Sequence, residues 1–84
     1  MIINIEYELN REYIYDEEGE VIGETNFVVP AGWLIELYNK TYANKYNSLE
    51  EFLDVYEPET DGEFIYQQAV KDDVIIEDFG VVMN

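Results

Sequence analysis

Eighty-four residues suffice for one small domain, residues 1–84. With 48% hydrophobic and 15% aromatic side chains, the chain is too apolar for a disordered acidic tail, which cannot bury enough surface to offset its entropy. It contains no cysteine and no histidine, which excludes disulfides, thiolate and imidazole metal sites, thiol nucleophiles and Ser-His-Asp triads.

Residues 1–9 alternate, with Met1, Ile3, Ile5, Tyr7 and Leu9 on one face and Asn4, Glu6 and Glu8 on the other. That is the period of a half-buried strand. Residues 13–15 and 21–29 read as two further strands around the loop Asp16-Glu17-Glu18-Gly19-Glu20, where a glycine in a short polar stretch signals a hairpin. Gly23, inside the third strand, reads as a bulge. Pro30 suits the first turn of a helix. Beyond it Trp33, Leu34, Leu37, Tyr38, Thr41 and Tyr42 recur at spacings of three and four, which builds one apolar stripe. Asn44 and Asn47 are candidate terminators. Ser48-Leu49-Glu50-Glu51 fits a capping box, opening a second helix that buries Leu49, Phe52, Leu53 and Tyr56 and ends at Pro58. Thr60-Asp61-Gly62-Glu63 repeats the capping signature before a third helix with a stripe of Phe64, Ile65, Gln68 and Ala69. The β-branched run Val74, Ile75 and Ile76 predicts a closing strand, with a second run at Val81 and Val82. The order βββαααβ implies an α+β fold, with helices on one face of a small, mostly antiparallel sheet.

No phosphate-binding loop and no dinucleotide fingerprint occurs. The acid runs at 16–20 and 72–78 do not follow the EF-hand pattern, and Asp78-Phe79-Gly80 stands without any other kinase signature. A carboxylate-catalysed enzyme would need two acids flanking a substrate cleft, for which so small a domain has little room. The chain therefore reads as a binding protein with no cofactor and no metal, not as an enzyme. No apolar run reaches membrane-spanning length, and the N-terminus lacks the profile of a signal peptide, so a soluble, cytoplasmic protein is expected.

Charge is the most informative remaining feature. Twenty Asp and Glu stand against Arg11, Lys40, Lys45 and Lys71, giving a formal net charge of −16. Acidic membranes and nucleic acid both repel such a surface, so neither is an expected partner. Solubility of a small domain needs a net charge of about 2–8; the excess costs stability through self-repulsion and so points to use. A domain of this length is about 30 Å across, and duplex DNA carries about 18 phosphates over that distance. The near match points to a decoy for a basic nucleic-acid-binding protein.

In length, absence of cysteine, enrichment in Tyr, Glu and Asp, and an α+β pattern with acidic loops, the chain resembles the small acidic inhibitors that phages and mobile elements use against host defence. These are the anti-CRISPR, antirestriction and DNA-glycosylase inhibitor proteins. Tyr46-Asn47-Ser48-Leu49-Glu50-Glu51-Phe52 is similar in character to acidic helical segments of anti-CRISPRs that occupy the DNA channel of a Cas nuclease. The resemblance implies a Cas or restriction nuclease as partner, in the cytoplasm of an infected bacterial host. Those families share no motif that assigns residues here. The competing class is an acidic phage adaptor or structural protein without inhibitory activity.

Charge density selects the candidate contact residues. The hairpin carries Asp16, Glu17, Glu18 and Glu20, with Glu24 following and Tyr15 beside them as a ring on which an arginine can stack. Carboxylates at i and i+2 of a strand lie about 6.8 Å apart, which predicts a phosphate-like row at Glu18, Glu20 and nearby Glu24. The second cluster is Asp72, Asp73, Glu77 and Asp78.

Overall fold

A computed structural model describes residues 5–83. Strand β1 spans Glu6–Tyr15 and β2 Val21–Pro30; helix α1 spans Ala31–Thr41 and α2 Leu49–Asp54. A π-helical turn at Pro58–Gly62 leads into α3, Glu63–Asp72, and β3 closes the chain at Glu77–Met83. The three strands form one antiparallel sheet in the order β1-β2-β3. The fold is α+β, as the periodicities imply, with the order ββαααβ.

The two expected N-terminal strands are one. Arg11 has no partner across the ladder, because Asn10 pairs with Asn26 and Glu12 with Thr25. A bulge thus carries the chain through the polar stretch that reads as a break. Alternation holds over Tyr7, which packs on the core, and Leu9, which is buried, but Ile5, just ahead of β1, is 61% exposed rather than on an inward face. Met1 and Ile3 lie outside the described residues. After the bulge Tyr13 pairs with Glu24, on the face opposite Phe27; it is half-exposed rather than part of the core stripe. The bulge expected at Gly23 falls on its neighbour, since Gly23 pairs with Ile14 and Val21 with Tyr15, leaving Ile22 extra. Gly23 answers a different need: a Cβ there would lie 2.8 Å from the Val82 carbonyl oxygen.

Helix α1 buries Leu34, Leu37 and Tyr38 as its stripe requires. The Ser48 capping box forms: the Glu51 N–H donates to Ser48 Oγ (3.1 Å), and the Glu51 carboxylate reaches back to the N–H of Asn47 (3.1 Å). Helix α2 stops at Asp54, before Pro58. The second capping box does not form. Asp61 instead accepts from the Glu57 N–H (3.0 Å) and closes the π-helical turn, leaving α3 without a side-chain cap. The closing strand begins later than expected. Asp73 takes a left-handed conformation (φ 56°), and the Val74 N–H donates to the Ala69 carbonyl, a Schellman-type turn. Val74 and Ile75 therefore pack on the core, and pairing starts as Ile76 N–H donates to the Val28 carbonyl (2.8 Å).

The helices cover the sheet face that presents Leu9, Phe27 and Val29. Phe52 is fully buried among four tyrosines: Tyr42 stacks on it with ring centres 4.2 Å apart, and Tyr38, Tyr46 and Tyr56 surround it at 5.6–6.1 Å. Tyr56 also donates its hydroxyl to the Asn10 carbonyl oxygen (2.5 Å), tying this cluster to β1. Gly62 is buried where the π-helical turn crosses β1, and a Cβ there would collide with the Asn10 carbonyl oxygen and the Tyr56 hydroxyl. Gly62→Ala is expected to destabilise the fold by about 1–3 kcal/mol, the usual cost of overpacking. Gly32→Ala, in α1 with open space around it, should stabilise by about 0.4–1 kcal/mol. Urea melts of the two variants check both signs.

Candidate functional site

Of the twenty acids, only Glu12 and Glu63 lie within ion-pair distance of a basic side chain among the described residues, and both meet Arg11. The Arg11 Nε donates to Glu63 (2.6 Å) while its guanidinium lies 3.8 Å from the centre of the Tyr66 ring. The hydrogen bond from Arg11 holds the Glu63 carboxyl below its usual value, desolvation opposes this, and the Gln67 amide adds to the lowering. Arg11 is the bulged residue of β1, so the bulge aims this ion-paired cation at α3.

Neutral donors order several of the remaining carboxylates. Trp33 Nε1 donates to Asp72 (2.8 Å), the Tyr66 hydroxyl to Asp78 (2.6 Å), and the Tyr15 hydroxyl to Glu59 (2.5 Å). The bonds to Asp78 and Glu59 raise the pKa values of Tyr66 and Tyr15, so both phenols stay protonated at physiological pH. Asp16 accepts from the backbone N–H groups of Glu18 and Glu20, both at 2.9 Å. A carboxylate has about four acceptor positions. Each of these is therefore held in place with its charge intact and acceptor capacity left for a partner.

The predicted contact residues do not form one patch. Asp16, Glu17, Glu18 and Glu20 occupy the exposed hairpin tip beyond Val21, whereas Glu77 pairs with Val28 seven residues along β2. At about 3.3 Å per residue the two groups sit roughly 23 Å apart along that strand. Asp72 ends α3, Asp73 is its left-handed cap, and Asp78 faces Tyr66. Tyr15 is exposed, but its hydroxyl is engaged by Glu59. The regular spacing expected of Glu18 and Glu20 is not realised, because both lie in the turn and only Glu24 is on a strand.

The residues that fit the phosphate-like spacing are Glu6 and Glu8, at i and i+2 of β1 on the face away from the helices. Glu8 and Glu77 flank Val28 across the sheet, and Glu24 lies farther along the same face. The polar half of the N-terminal alternation marks Glu6 and Glu8 in the sequence, but charge density draws attention to the loops instead. Glu6 and Glu8 thus extend the end that holds Glu77, and Glu24 lies between it and the hairpin tip. The described chain measures 43 × 30 × 24 Å, longer than the sphere expected from its length. Its 16 net charges over 43 Å amount to about one per 2.7 Å, against one per about 1.7 Å for duplex DNA.

Tyr7, Glu8, Leu9, Asn10, Leu53 and Tyr56 line an open groove of about 270 Å³, with Glu8 its single carboxylate. Among the described residues, no group of three or more acids is gathered to hold a metal ion, and no helix is long and apolar enough to cross a membrane. No protein-family model, curated protein or solved structure matches the chain.

Unpaired charge at this density should register in the free protein. The melting temperature is expected to rise between about 0.01 and 1 M NaCl, as the Debye length shrinks from about 30 to 3 Å. A flat response would show the carboxylates too dispersed to repel one another. Acid should act through Glu63: its folded pKa is depressed, so its contribution is full above the unfolded value of about 4.3 and is lost as pH falls through the folded one. Glu63→Gln should cost about 1 kcal/mol at pH 7, with the difference from wild type closing in strong acid.

Proposed function

We propose that this protein is a nucleic-acid decoy, which occupies the basic channel of a host-defence nuclease of the Cas or restriction type in the cytoplasm of an infected bacterium and blocks it by competition. The observation that carries this reading is a domain with twenty acids, nearly all without a cationic partner among the described residues, several of them oriented by neutral aromatic donors. Ordinary acidic surfaces intersperse lysine and arginine. Here tyrosine and tryptophan supply the hydrogen bonds, so carboxylates are positioned while net charge is preserved.

Such a surface matches a channel built for phosphates. Arginines take carboxylates through bidentate, charge-assisted hydrogen bonds, as they do phosphates, and long-range attraction speeds encounter at low salt. Contact is assigned to the hairpin tip (Asp16, Glu17, Glu18, Glu20, with Tyr15), to the far end (Asp72, Asp73, Glu77, Asp78, with Glu6 and Glu8 beside Glu77), and to Glu24 between them. Two acid groups at opposite ends of the sheet suit an elongated groove better than a compact pocket.

A pull-down from bacterial lysate at low and high salt tests the class of partner. A nuclease recovered at low salt and lost at high salt is the expected result, whereas recovery of phage components alone points to the adaptor or structural alternative. The protein should not shift duplex or single-stranded DNA in a gel at any salt, yet should displace labelled DNA from the recovered nuclease. Tight direct DNA binding would overturn the decoy. The group variants D16N/E17Q/E18Q/E20Q and D72N/D73N/E77Q/D78N keep the acceptor oxygens that Asp16, Asp72 and Asp78 use, and asparagine tolerates the left-handed position 73. Each should remain folded and weaken the nuclease complex by several kcal/mol, as close interfacial charge pairs do.

A further inference from the structure

The π-helical turn closes the β1 edge at Asn10 and Arg11 and leaves the residues just before them beside the open groove. Tyr7, Leu9, Leu53 and Tyr56 give that groove apolar and aromatic walls, and Glu8 is its one acidic residue. Its volume of about 270 Å³ falls below the range of about 300–1,000 Å³ typical of small-molecule pockets. It suits a single side chain.

The register of the sheet decides which peptide groups face the groove. Opposed residues of an antiparallel ladder alternate between pairs that exchange backbone hydrogen bonds and pairs that do not. Val28, the partner of Glu8, spends its carbonyl on the Ile76 N–H at the β3 side. The Glu8–Val28 pair is therefore of the second kind, and Glu8 directs its own N–H and carbonyl away from β2. Asn10, two residues on, obeys the same alternation: its carbonyl accepts from the Tyr56 hydroxyl. That bond uses the Tyr56 proton and fixes one end of the groove, while a carbonyl oxygen has a second lone pair to offer. Among the described residues, no basic side chain lies within ion-pair distance of the Glu8 carboxylate.

We propose that this groove seats one arginine side chain of a cationic partner, with its methylenes against Leu53, its guanidinium against a tyrosine ring, and Glu8 and the outward carbonyls accepting its N–H groups. The molecule already contains this chemistry once. Its only arginine, Arg11, lies 3.8 Å from the centre of the Tyr66 ring and donates to Glu63 at 2.6 and 3.2 Å. The groove offers ring, carboxylate and carbonyls without a cation of its own, on a chain whose net charge of −16 draws cations in. Arginine fits better than lysine, because a planar guanidinium stacks on a ring while its edge presents five donors. That the arginine belongs to a partner rests on the decoy reading; the preference of the groove for a guanidinium does not.

Amide NMR on the free full chain tests this, with N-acetyl-arginine amide as probe and N-acetyl-lysine amide, of equal charge, as control at constant ionic strength. The amides of Tyr7 to Asn10, Leu53 and Tyr56 should shift together along one saturating curve, with arginine bound about threefold more tightly than lysine. Glu8→Gln, at an exposed position, should weaken arginine binding by about threefold. Glu24→Gln removes the same charge from the sheet outside the groove and should leave that curve unchanged. Equal binding of the two probes, shifts spread over the acids with no maximum at the groove, or a Glu8→Gln curve no weaker than that of Glu24→Gln would each overturn the proposal. The titration needs no nuclease, so its failure and the failure of the decoy reading are told apart: a pull-down without a nuclease leaves a guanidinium-selective groove standing, and an unselective groove leaves a recovered nuclease standing.

Discussion

The Phe52 side chain sits where α1, α2 and the loop between them meet. Its ring is sealed by Tyr38 and Tyr42 from α1 and the residue after it, Tyr46 from the connecting loop, and Tyr56 beyond α2. The last of these also bonds to β1 through the Asn10 carbonyl. A helix of six residues, such as α2, has no independent stability in water; it persists because Phe52 is enclosed and Ser48 caps its start. A core this small must hold a chain that repels itself, and aromatic rings supply large buried area for few ordered torsions.

Tyrosine resolves the conflict between cohesion and charge. An ion pair would order a carboxylate but cancel its charge, and the four basic residues are too few to do so generally. A phenol buries its ring and donates one hydrogen bond without changing net charge. Tyr66 shows the complete pattern: its ring packs edge-on against Phe27 at 5.2 Å, its face receives Arg11, and its hydroxyl orients Asp78. One side chain thus connects the core, the internally paired cation and an exposed acid. Tyr38 and Tyr56 turn their hydroxyls to backbone carbonyls instead, and burial is the main cause that raises the Tyr56 pKa far above its ordinary value. Tyr42, without such a partner among its hydrogen bonds, is pushed up to about 12 mainly by the same burial.

The proposed contact surface draws on the shape that results. A three-stranded sheet covered on one side leaves an acidic face, two acidic ends and two edges. The helical connection closes only the β1 edge, because the π-helical turn lies against Asn10 and Arg11.

What the sequence determined by itself is whatever depends on neighbours a few residues away. The α+β class, the hairpin, the α1 stripe, the Ser48 capping box and the α3 stripe of Ile65 and Ala69 are local periodicities and local hydrogen bonds, and they stand in the fold. The charge of −16 needs no structure at all. The tertiary structure alone decided what depends on the residue across the ladder. The bulge at Arg11 exists because Asn26 and Thr25 take Asn10 and Glu12 as partners, and that one-residue slip turns Tyr13 away from the core. Likewise Val74 and Ile75 have the composition of a strand, but the left-handed turn at Asp73 brings them onto the core before pairing begins. The two acid clusters look equivalent along the chain, yet antiparallel pairing of β3 with β2 sends them to opposite ends of the sheet. Register is a long-range choice, and no local pattern in one strand records which residues its partner will present.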